Sequence, residues 1–398
     1  MRARPVLVLV LALLAASATV FVTAPQECTT LVAAGPAAAD RAPLLWKNRD
    51  TDVLSNKVVL VKDQPHSFLG LVNAEGTAGR MVWAGLNDAG FGIANSVAYN
   101  LPAATGEQQD LEGIIMADAL RTCATLADFE ALLQSQKGPD FGSRANFLAI
   151  DARGGAAIFE SHNHGFTRLD AMDAPERFRA NTNFSRSGTT DQGAGYLRFD
   201  RETTLLQTRP AAGLSPEFVL QTLSRDVGHA LERRPERAAW KTLPADTPYW
   251  VHTNYSINRP STSAAVVIQG VKAGDDPRKA TMWVILGEPV TSIAVPLWVA
   301  AGVPPEALWQ GKDALLMTEA FRLKDKLRWL KTRERREYLD LTKLDNAAGT
   351  GWLPALLAVE RDIFAKTTEF LQIPASPAEM AAYQKSAAER VLATLRTF

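Results

Sequence analysis

The stretch that most constrains this chain is residues 27–52, where two short apolar runs flank a turn-rich segment. Cys28 begins the first run, and the second run leads into a polar cluster at residues 47–50. Two such runs around Gly, Pro and Asp are typical of an antiparallel hairpin. The pattern predicts that Cys28 lies opposite residues 48–50, so that cations and a carboxylate surround its sulfur.

Length and charge exclude several classes of protein. The chain has 398 residues, 46% of them apolar and 22% charged, which is typical of a soluble globular protein with a sizeable core. Lys+Arg and Asp+Glu are equal at 43 each, so no overall field attracts nucleic acid or an anionic membrane. No nucleic-acid partner is expected.

The N-terminus has the pattern of a secretory signal. Arg2 and Arg4 precede an apolar run over residues 6–22, and a small-x-small cleavage site ends at Ala18. We therefore expect an exported product, periplasmic or secreted, without stable membrane insertion after processing. The alternative is an uncleaved anchor, since the run is nearly long enough to span a tilted bilayer.

Strand-like and helix-like segments alternate in blocks along the chain, among them a strand predicted over residues 81–84 and a helix predicted to begin with Thr125 as N-cap. Blocks of strands, then two helices, then strands again favour an α+β fold with antiparallel sheets and helices on their outer faces. From about residue 304 the pattern becomes helical, and Ser376 with Pro377 marks the start of the last helix. We expect a signal and pro-segment over 1–27, a main domain over 28–303 and a helical extension over 304–398.

The chain has two cysteines, Cys28 and Cys123. A disulfide between them is one interpretation for an exported protein, whereas the helical pattern around Cys123 favours a buried thiol there. His162 and His164 alternate on one strand, but no third ligand lies nearby in the sequence, so no metal site is expected. Phosphate-binding, dinucleotide and serine-elbow motifs are absent from the sequence, and no cofactor is expected.

Cys28 has the properties of a nucleophile if it becomes the mature N-terminal residue. An α-amine has a pKa of about 7.7–8.0 and a thiol about 8.5, so the amine can accept the proton of its own side chain. Neighbouring cations lower the pKa of the thiol further. Asn87 and Asn183, both at strand ends, are candidate amide donors to the oxyanion that forms on acyl attack.

Five segments of the chain together resemble N-terminal nucleophile (Ntn) hydrolases. They occur in the order found in that group, and the most similar group is peptidase C45, the acyl-coenzyme A:6-aminopenicillanic acid acyltransferases, with choloylglycine hydrolases and penicillin V acylases as relatives. The resemblance covers roughly residues 28–296. The segments are Cys28-Thr29-Thr30, the cluster at 47–50, Gly85 to Phe91, Asn181 to Phe184 and Gly195 to Phe199.

This resemblance implies a four-layer αββα sandwich and cleavage or transfer at linear amide bonds. Carried over by position, Cys28 matches the nucleophile and Asp50 the carboxylate that orients its amine. Asn87 and Asn183 match the amides that hold the oxyanion and the amine, and Arg198 matches a structural or site arginine.

Two positions depart from the pattern of these relatives. Lys47 occupies the place where they have Arg, and Arg49 occupies a variable place, which leaves open which cation neighbours the sulfur. Self-cleavage in the relatives often follows Gly, whereas Glu27 precedes Cys28 here.

The expected function is therefore hydrolysis of an N-acyl amide through a thioester on Cys28, after removal of residues 1–27. Hydrolysis is favoured over acyl transfer because acyl-coenzyme A is scarce outside the cell. Two alternatives stay open: a secreted dipeptidase that uses the same cysteine, and a non-catalytic binding protein with a Cys28–Cys123 disulfide. The sequence leaves the acyl group, the amine and the oligomeric state undetermined.

Overall fold

A computed structural model describes residues 27–76, 79–103, 110–138, 141–329 and 336–398. Its strands form a six-stranded sheet, a seven-stranded sheet and a small three-stranded sheet, and all strand pairs are antiparallel. The strands are β1 (Glu27–Ala33), β2 (Leu44–Asp50), β3 (Asn56–Val61), β4 (Phe68–Asn73), β5 (Ala84–Asn87), β6 (Gly92–Val97), β7 (Ala145–Ile150), β8 (Ala156–His162), β9 (Gly165–Asp170), β10 (Phe178–Asn181), β11 (Trp250–His252), β12 (Thr262–Gln269), β13 (Thr281–Leu286), β14 (Val295–Leu297), β15 (Arg328–Trp329) and β16 (Tyr338–Asp340).

The α-helices of the described residues lie between these strand blocks and at the C-terminal end. They are α1 (Glu112–Thr122), α2 (Leu126–Gln136), α3 (Tyr196–Leu206), α4 (Pro216–Phe218), α5 (Arg237–Trp240), α6 (Leu315–Leu327), α7 (Leu341–Leu344), α8 (Leu353–Gln372) and α9 (Pro377–Leu395). Thr125 and Ser376 each begin a helix with a capping box, in which side chain and backbone satisfy one another's orphan groups. Both helix starts confirm the sequence prediction.

The two large sheets pack face to face, and helices cover both outer surfaces. Strands β1 and β2 of the six-stranded sheet (order β10-β1-β2-β12-β13-β14) contact β6 and β7 of the seven-stranded sheet, which runs from β3 to β9 in chain order. Helices α1 and α2 pack on the seven-stranded sheet, while α3, α6 and α9 pack on the other. The predicted α+β fold with four αββα layers is confirmed.

Close approach of the two sheets depends on small residues between them. A Cβ built on Gly92 would lie 2.9 Å from Cγ2 of Ile268, closer than real Cβ contacts come.

Aromatic rings fill the space under α2, where Phe129 packs edge-on against Phe147 and Phe159. The resulting core is continuous and includes residues of both β1 and β2.

The β1–β2 hairpin has the predicted register. Cys28 pairs with Arg49, and Glu27 pairs with Asp50. Because side chains alternate along a strand, Cys28 and Arg49 extend from one face, and Glu27 and Asp50 from the other. Strand β12 pairs with the other edge of β2, with an irregularity between Thr262 and Ala264, beside Asp50.

Two sequence expectations differ from the structure or lie outside it. A strand predicted over residues 81–84 instead begins at Ala84 and continues to Asn87, because residues 81–83 lead in beside α1, where the Val82 N–H donates to the Gly113 carbonyl. The expected signal segment lies outside the described residues except for Glu27. Among the described residues, no helix combines the length and apolar character needed to cross a bilayer.

Candidate active site

Cys28 lies at the beginning of β1, buried between the strand ends, with 4% of its surface exposed. Its backbone N–H donates to Oδ1 of Asn183 at 3.0 Å. Its carbonyl oxygen accepts from Nη1 of Arg198 at 2.6 Å, and the same nitrogen donates to the Thr29 hydroxyl at 2.9 Å. The structure thus brings together three of the predicted site residues, although Cys28 is more than a hundred positions from the other two in the chain.

The surroundings of the thiol act on its pKa in opposite directions. Burial raises the pKa of Cys28 because it penalises the thiolate, and the Asp50 carboxylate raises it further. The Lys47 ammonium, the backbone N–H of Asp50 and the Arg49 guanidinium lower it. Burial has the largest effect, so the thiol of the uncleaved chain is held neutral.

Lys47 lowers the pKa of the Cys28 thiol more than Arg49 does. Its ammonium reaches the second sheet and donates to the Trp83 carbonyl at 3.0 Å and to Oδ1 of Asn95 at 2.5 Å. The amide of Asn95 in turn donates to the buried Glu112 carboxylate. Burial lowers the pKa of Lys47 and raises that of Glu112 to about 8.

Arg49 is held mainly by other side chains. Its guanidinium donates to Asn56 and, at 2.8 Å, to Oδ1 of Asn73, and it stacks 4.7 Å from the centroid of the Trp83 ring. These contacts fix the arginine beside the sulfur without leaving its charge alone in the interior.

Asp50 belongs to a second group of charges on the other face of the hairpin. Its Oδ1 accepts from the Thr262 hydroxyl at 2.7 Å, and its Oδ2 lies 3.9 Å from Nη1 of Arg198 and 4.0 Å from Nε of Arg259. Neither Asp50 Oδ2 nor Arg259 Nε has a hydrogen-bond partner among the described residues, although both are buried. Burial raises the pKa of Asp50 to about 6, against the effect of the two arginines.

Glu27, the residue before Cys28, completes this second group. Its Oε2 accepts from Nη2 of Arg198 at 2.8 Å and also from Nη1 of Arg259. Burial raises the pKa of Glu27, but the two guanidinium groups more than offset this effect, so the pKa lies below the ordinary value. Glu27, Asp50, Arg198 and Arg259 together carry no net charge.

Asn183 is placed to act on both the nucleophile and an acyl group. Its Oδ1 accepts from the Cys28 N–H and from Nη2 of Arg198 at 2.8 Å, and its Nδ2 donates to the Val97 carbonyl at 3.0 Å. A side-chain amide carries two N–H groups, and among the described residues only one of them has an acceptor, which leaves the other for an acyl oxygen.

Asn87 is the predicted site residue that the structure does not bring to Cys28. Its two amide hydrogens donate to the carbonyl oxygens of Leu120 and Cys123, at 2.9 and 2.8 Å. Its Oδ1 accepts from two N–H groups of its own turn. The side chain therefore fixes a turn under α1 and has no donor left for an oxyanion.

The two cysteines are not joined. Cys28 and Cys123 are both free and buried. The disulfide alternative is therefore wrong for this structure.

Sequence reasoning missed Arg259, Thr262, Asn95 and Glu112 as members of the site. Arg259 lies in the loop before β12, where no motif marks it. Asn95 was recognisable only as a polar residue in an apolar strand, and Glu112 as a buried carboxylate at the start of an apolar helix.

The fold is an αββα sandwich. A cysteine, a carboxylate, an amide and several cations meet at the start of its strand β1, around Cys28. No protein-family model and no curated protein sequence matches the chain. Solved structures that are similar include an N-acylethanolamine-hydrolyzing acid amidase ortholog of Caenorhabditis elegans, at 14% identity and a TM-score of 0.40, covering 61% of this chain and 92% of that one.

Two further solved structures are similar to about the same degree. A variant of conjugated bile acid hydrolase from Clostridium perfringens has 11% identity and a TM-score of 0.40, covering 68% of this chain and 92% of that one. Penicillin V acylase from Agrobacterium tumefaciens has 14% identity and a TM-score of 0.34, covering 68% and 86%. Similarity at this level assigns no family or activity to this chain, so its chemistry must be argued from its own residues.

Proposed function

We propose that this chain is the precursor of an exported N-terminal cysteine hydrolase that cleaves linear amide bonds of N-acyl substrates, related to the peptidase C45 group of Ntn hydrolases. The observation that carries the proposal is the buried Asp50 carboxylate oxygen without a hydrogen-bond partner among the described residues, on the residue that pairs with Glu27 across the hairpin. Cleavage of the Glu27–Cys28 bond would create an α-amine beside it, and a buried carboxylate is a suitable acceptor for that amine.

Maturation follows from the chemistry of the same cysteine. The Cys28 thiol attacks the carbonyl carbon of Glu27, the C–N bond breaks, and the acyl group passes to sulfur as a thioester. Water then hydrolyses the thioester and releases the segment that ends at Glu27. The new α-amine remains held by Asn183, whose Oδ1 accepts from the Cys28 nitrogen already in the uncleaved chain.

Each catalytic turn repeats these steps on a substrate. The free α-amine of Cys28 takes the thiol proton, and the thiolate, favoured by Lys47, attacks the amide carbonyl. The spare N–H of Asn183 donates to the oxyanion, and the protonated amine gives its proton to the leaving nitrogen. Asp50 orients the amine, and Arg198 holds Asn183 and the carbonyl of Cys28 in place.

The proposal is tested first by the intact mass and N-terminal sequence of the exported protein, and then by its activity on a panel of N-acyl amides with unblocked dipeptides as comparison. We expect a mature chain that begins at Cys28 and turns over N-acyl amides. Cys28→Ser should leave the chain uncleaved and without activity.

Cys123→Ser is the matched control, because Cys123 is also a free, buried thiol but lies outside the Cys28 cluster. It should mature and work as the parent does. Full activity of the Cys28→Ser protein would reject the mechanism. If the parent protein cleaves unblocked dipeptides faster than N-acyl amides, the dipeptidase alternative would replace the proposed function.

A further inference from the structure

The carboxylate of Glu27 occupies a site built of two arginines, and this site is emptied when the proposed cleavage occurs. Arg198 and Arg259 both donate to the same oxygen, Oε2 of Glu27. Their side chains are only 2% and 15% exposed, and that of Glu27 is 19% exposed. The pair is therefore a largely desolvated carboxylate site and not a surface ion pair.

Loss of Glu27 changes the balance of charge there. With Glu27 present, two carboxylates face two guanidinium groups. Without it, Asp50 alone faces Arg198 and Arg259, and the new α-amine adds a further group that can become positive. A desolvated excess of positive charge is costly, and binding of an anion relieves that cost.

The two arginines differ in the hydrogen-bond partners that they keep after Glu27 leaves. Arg198 keeps its bonds to the Cys28 carbonyl, the Thr29 hydroxyl and Asn183. Arg259 has no comparable set among the described residues: its Nη1 donates to Glu27, and its buried Nε has no hydrogen-bond partner and lies 4.0 Å from Asp50. Arg259 is thus the group that most requires a new anion after cleavage.

The position of that anion relative to the reacting carbon is fixed by Glu27 itself. In the self-cleavage step Glu27 is the acyl group, and its carboxyl carbon is separated from the attacked carbonyl carbon by three carbon atoms, Cα, Cβ and Cγ. The same skeleton without the α-nitrogen is a glutaryl group. Because the attacking sulfur and the leaving nitrogen belong to one residue, the acyl carbon moves little during the transfer.

We propose that the mature enzyme selects monoamides of short dicarboxylic acids, with an acyl chain of glutaryl length whose free carboxylate binds Arg259 and Arg198 where Glu27 was. This inference rests on the proposed function. The Cys28 sulfur forms a bond to the amide carbonyl carbon, the C–N bond breaks, and the amine leaves with the proton. Water then cleaves the thioester and releases the dicarboxylate, which frees the site.

The test compares the cleavage of two amides of the same fluorogenic amine, one with a glutaryl group and one with a 5-amino-5-oxopentanoyl group. The enzyme is the mature protein obtained from the full-length chain. The two acyl groups differ only in carboxylate against carboxamide. We expect kcat/KM to favour the glutaryl amide by on the order of 10- to 100-fold, the effect of one or two charged hydrogen bonds. Equal rates, or faster cleavage of the carboxamide, would overturn the inference.

Arg259→Met locates the effect. The ratio of the two kcat/KM values, measured in the same variant, should fall by on the order of 10-fold toward one, since only Arg198 remains, and Arg259→Lys should restore part of it. Arg278→Met, at an exposed arginine, is the matched control and should keep the parent ratio. A ratio that survives Arg259→Met would remove Arg259 from the site. If that variant does not mature, the parent ratio and Arg259→Lys still decide.

The two proposals can fail separately. Turnover of uncharged N-acyl amides without preference for the glutaryl group would reject the specificity and keep the hydrolase. Absence of turnover on every N-acyl amide by a properly cleaved chain would reject the hydrolase itself.

Discussion

Two buried groups of charges in this protein differ in how completely their atoms are paired. Arg225 and Glu360 are fully buried, and every guanidinium nitrogen of Arg225 has an acceptor: the Pro289, Leu220 and Ser292 carbonyls and both oxygens of Glu360, all at 2.8 Å. The group at Glu27 and Asp50 is largely buried, yet Asp50 Oδ2 and Arg259 Nε have no hydrogen-bond partner within the described ranges.

This difference separates a structural ion pair from a site prepared for another group. A buried polar atom without a partner costs free energy, so it persists where a change of state supplies the partner. At Arg225 nothing further can bind because its donors are used. At Asp50, the proposed function assigns the missing partner to the α-amine that cleavage would create.

The largest expected effect is on catalysis at Asp50. Asp50→Asn keeps the shape but removes the charge that orients the amine, so kcat for an N-acyl amide should fall on the order of 10³- to 10⁴-fold. The rate is measured on chain whose mass confirms cleavage. A fall confined to KM would contradict the orienting role, and unchanged stability would show that the loss is not a folding defect.

The next largest effect is on stability at the fully paired group. Glu360→Ala leaves Arg225 charged and unpaired in the interior, and should lower the free energy of unfolding by about 3–5 kcal/mol. Denaturant unfolding measures it. Glu389→Ala, on the exposed face of α9, is the control and should change stability by no more than about 0.5 kcal/mol. A loss of kcat in the folded Glu360→Ala protein would mean that the two groups are coupled.

A third comparison uses the two asparagines that looked alike in the sequence. Asn183→Ala removes the oxyanion donor and should lower kcat on the order of 10²-fold. Asn87→Ala removes a turn-fixing amide and should lower the free energy of unfolding by about 1–3 kcal/mol, with kcat of the folded enzyme unchanged. Steady-state kinetics and denaturant unfolding of both variants measure these two effects. The reverse outcome would exchange their roles.

The last comparison concerns the pH dependence of stability, where the effect within any one pH unit is small. Burial raises the pKa of Glu112 from 4.5 to about 8, so its contribution to stability is fully present below pH 4.5 and is lost as the pH rises toward 8. The comparison uses a Cys28→Ser background, which should keep the chain uncleaved. There, Glu112→Gln should reduce the slope of the unfolding free energy against pH by up to about 1.4 kcal/mol per pH unit in this window.

Urea unfolding at several pH values across this window measures these slopes. Glu389→Gln in the same background is the control, since that carboxylate is exposed. Identical slopes for Glu112→Gln and its parent would show that Glu112 is already ionised in the folded chain.

Local rules were enough to predict a large part of the fold. Alternation and turn residues predicted the hairpin and its register, because Gly, Pro and Asp between two apolar runs leave few other arrangements. Helix starts at Thr125 and Ser376 followed from capping chemistry that involves neighbouring residues alone. Cys28, Lys47, Arg49 and Asp50 could be grouped in advance because one hairpin carries all four.

What the sequence determined by itself is therefore the candidate nucleophile, its neighbours in the hairpin and an α+β fold of antiparallel sheets with helices outside them, whereas the four-layer αββα order came from the family resemblance. Only the tertiary structure separated Asn183 from Asn87, since Asn87 ends β5 and Asn183 lies two residues beyond β10, and the sequence does not show what packs around either. Only it placed Arg259 beside Glu27, 232 positions away. Contacts of that separation depend on which distant strands lie side by side in a sheet, here β12 beside β2, and no local pattern encodes this order. They are what make the start of β1 a candidate carboxylate-selective site.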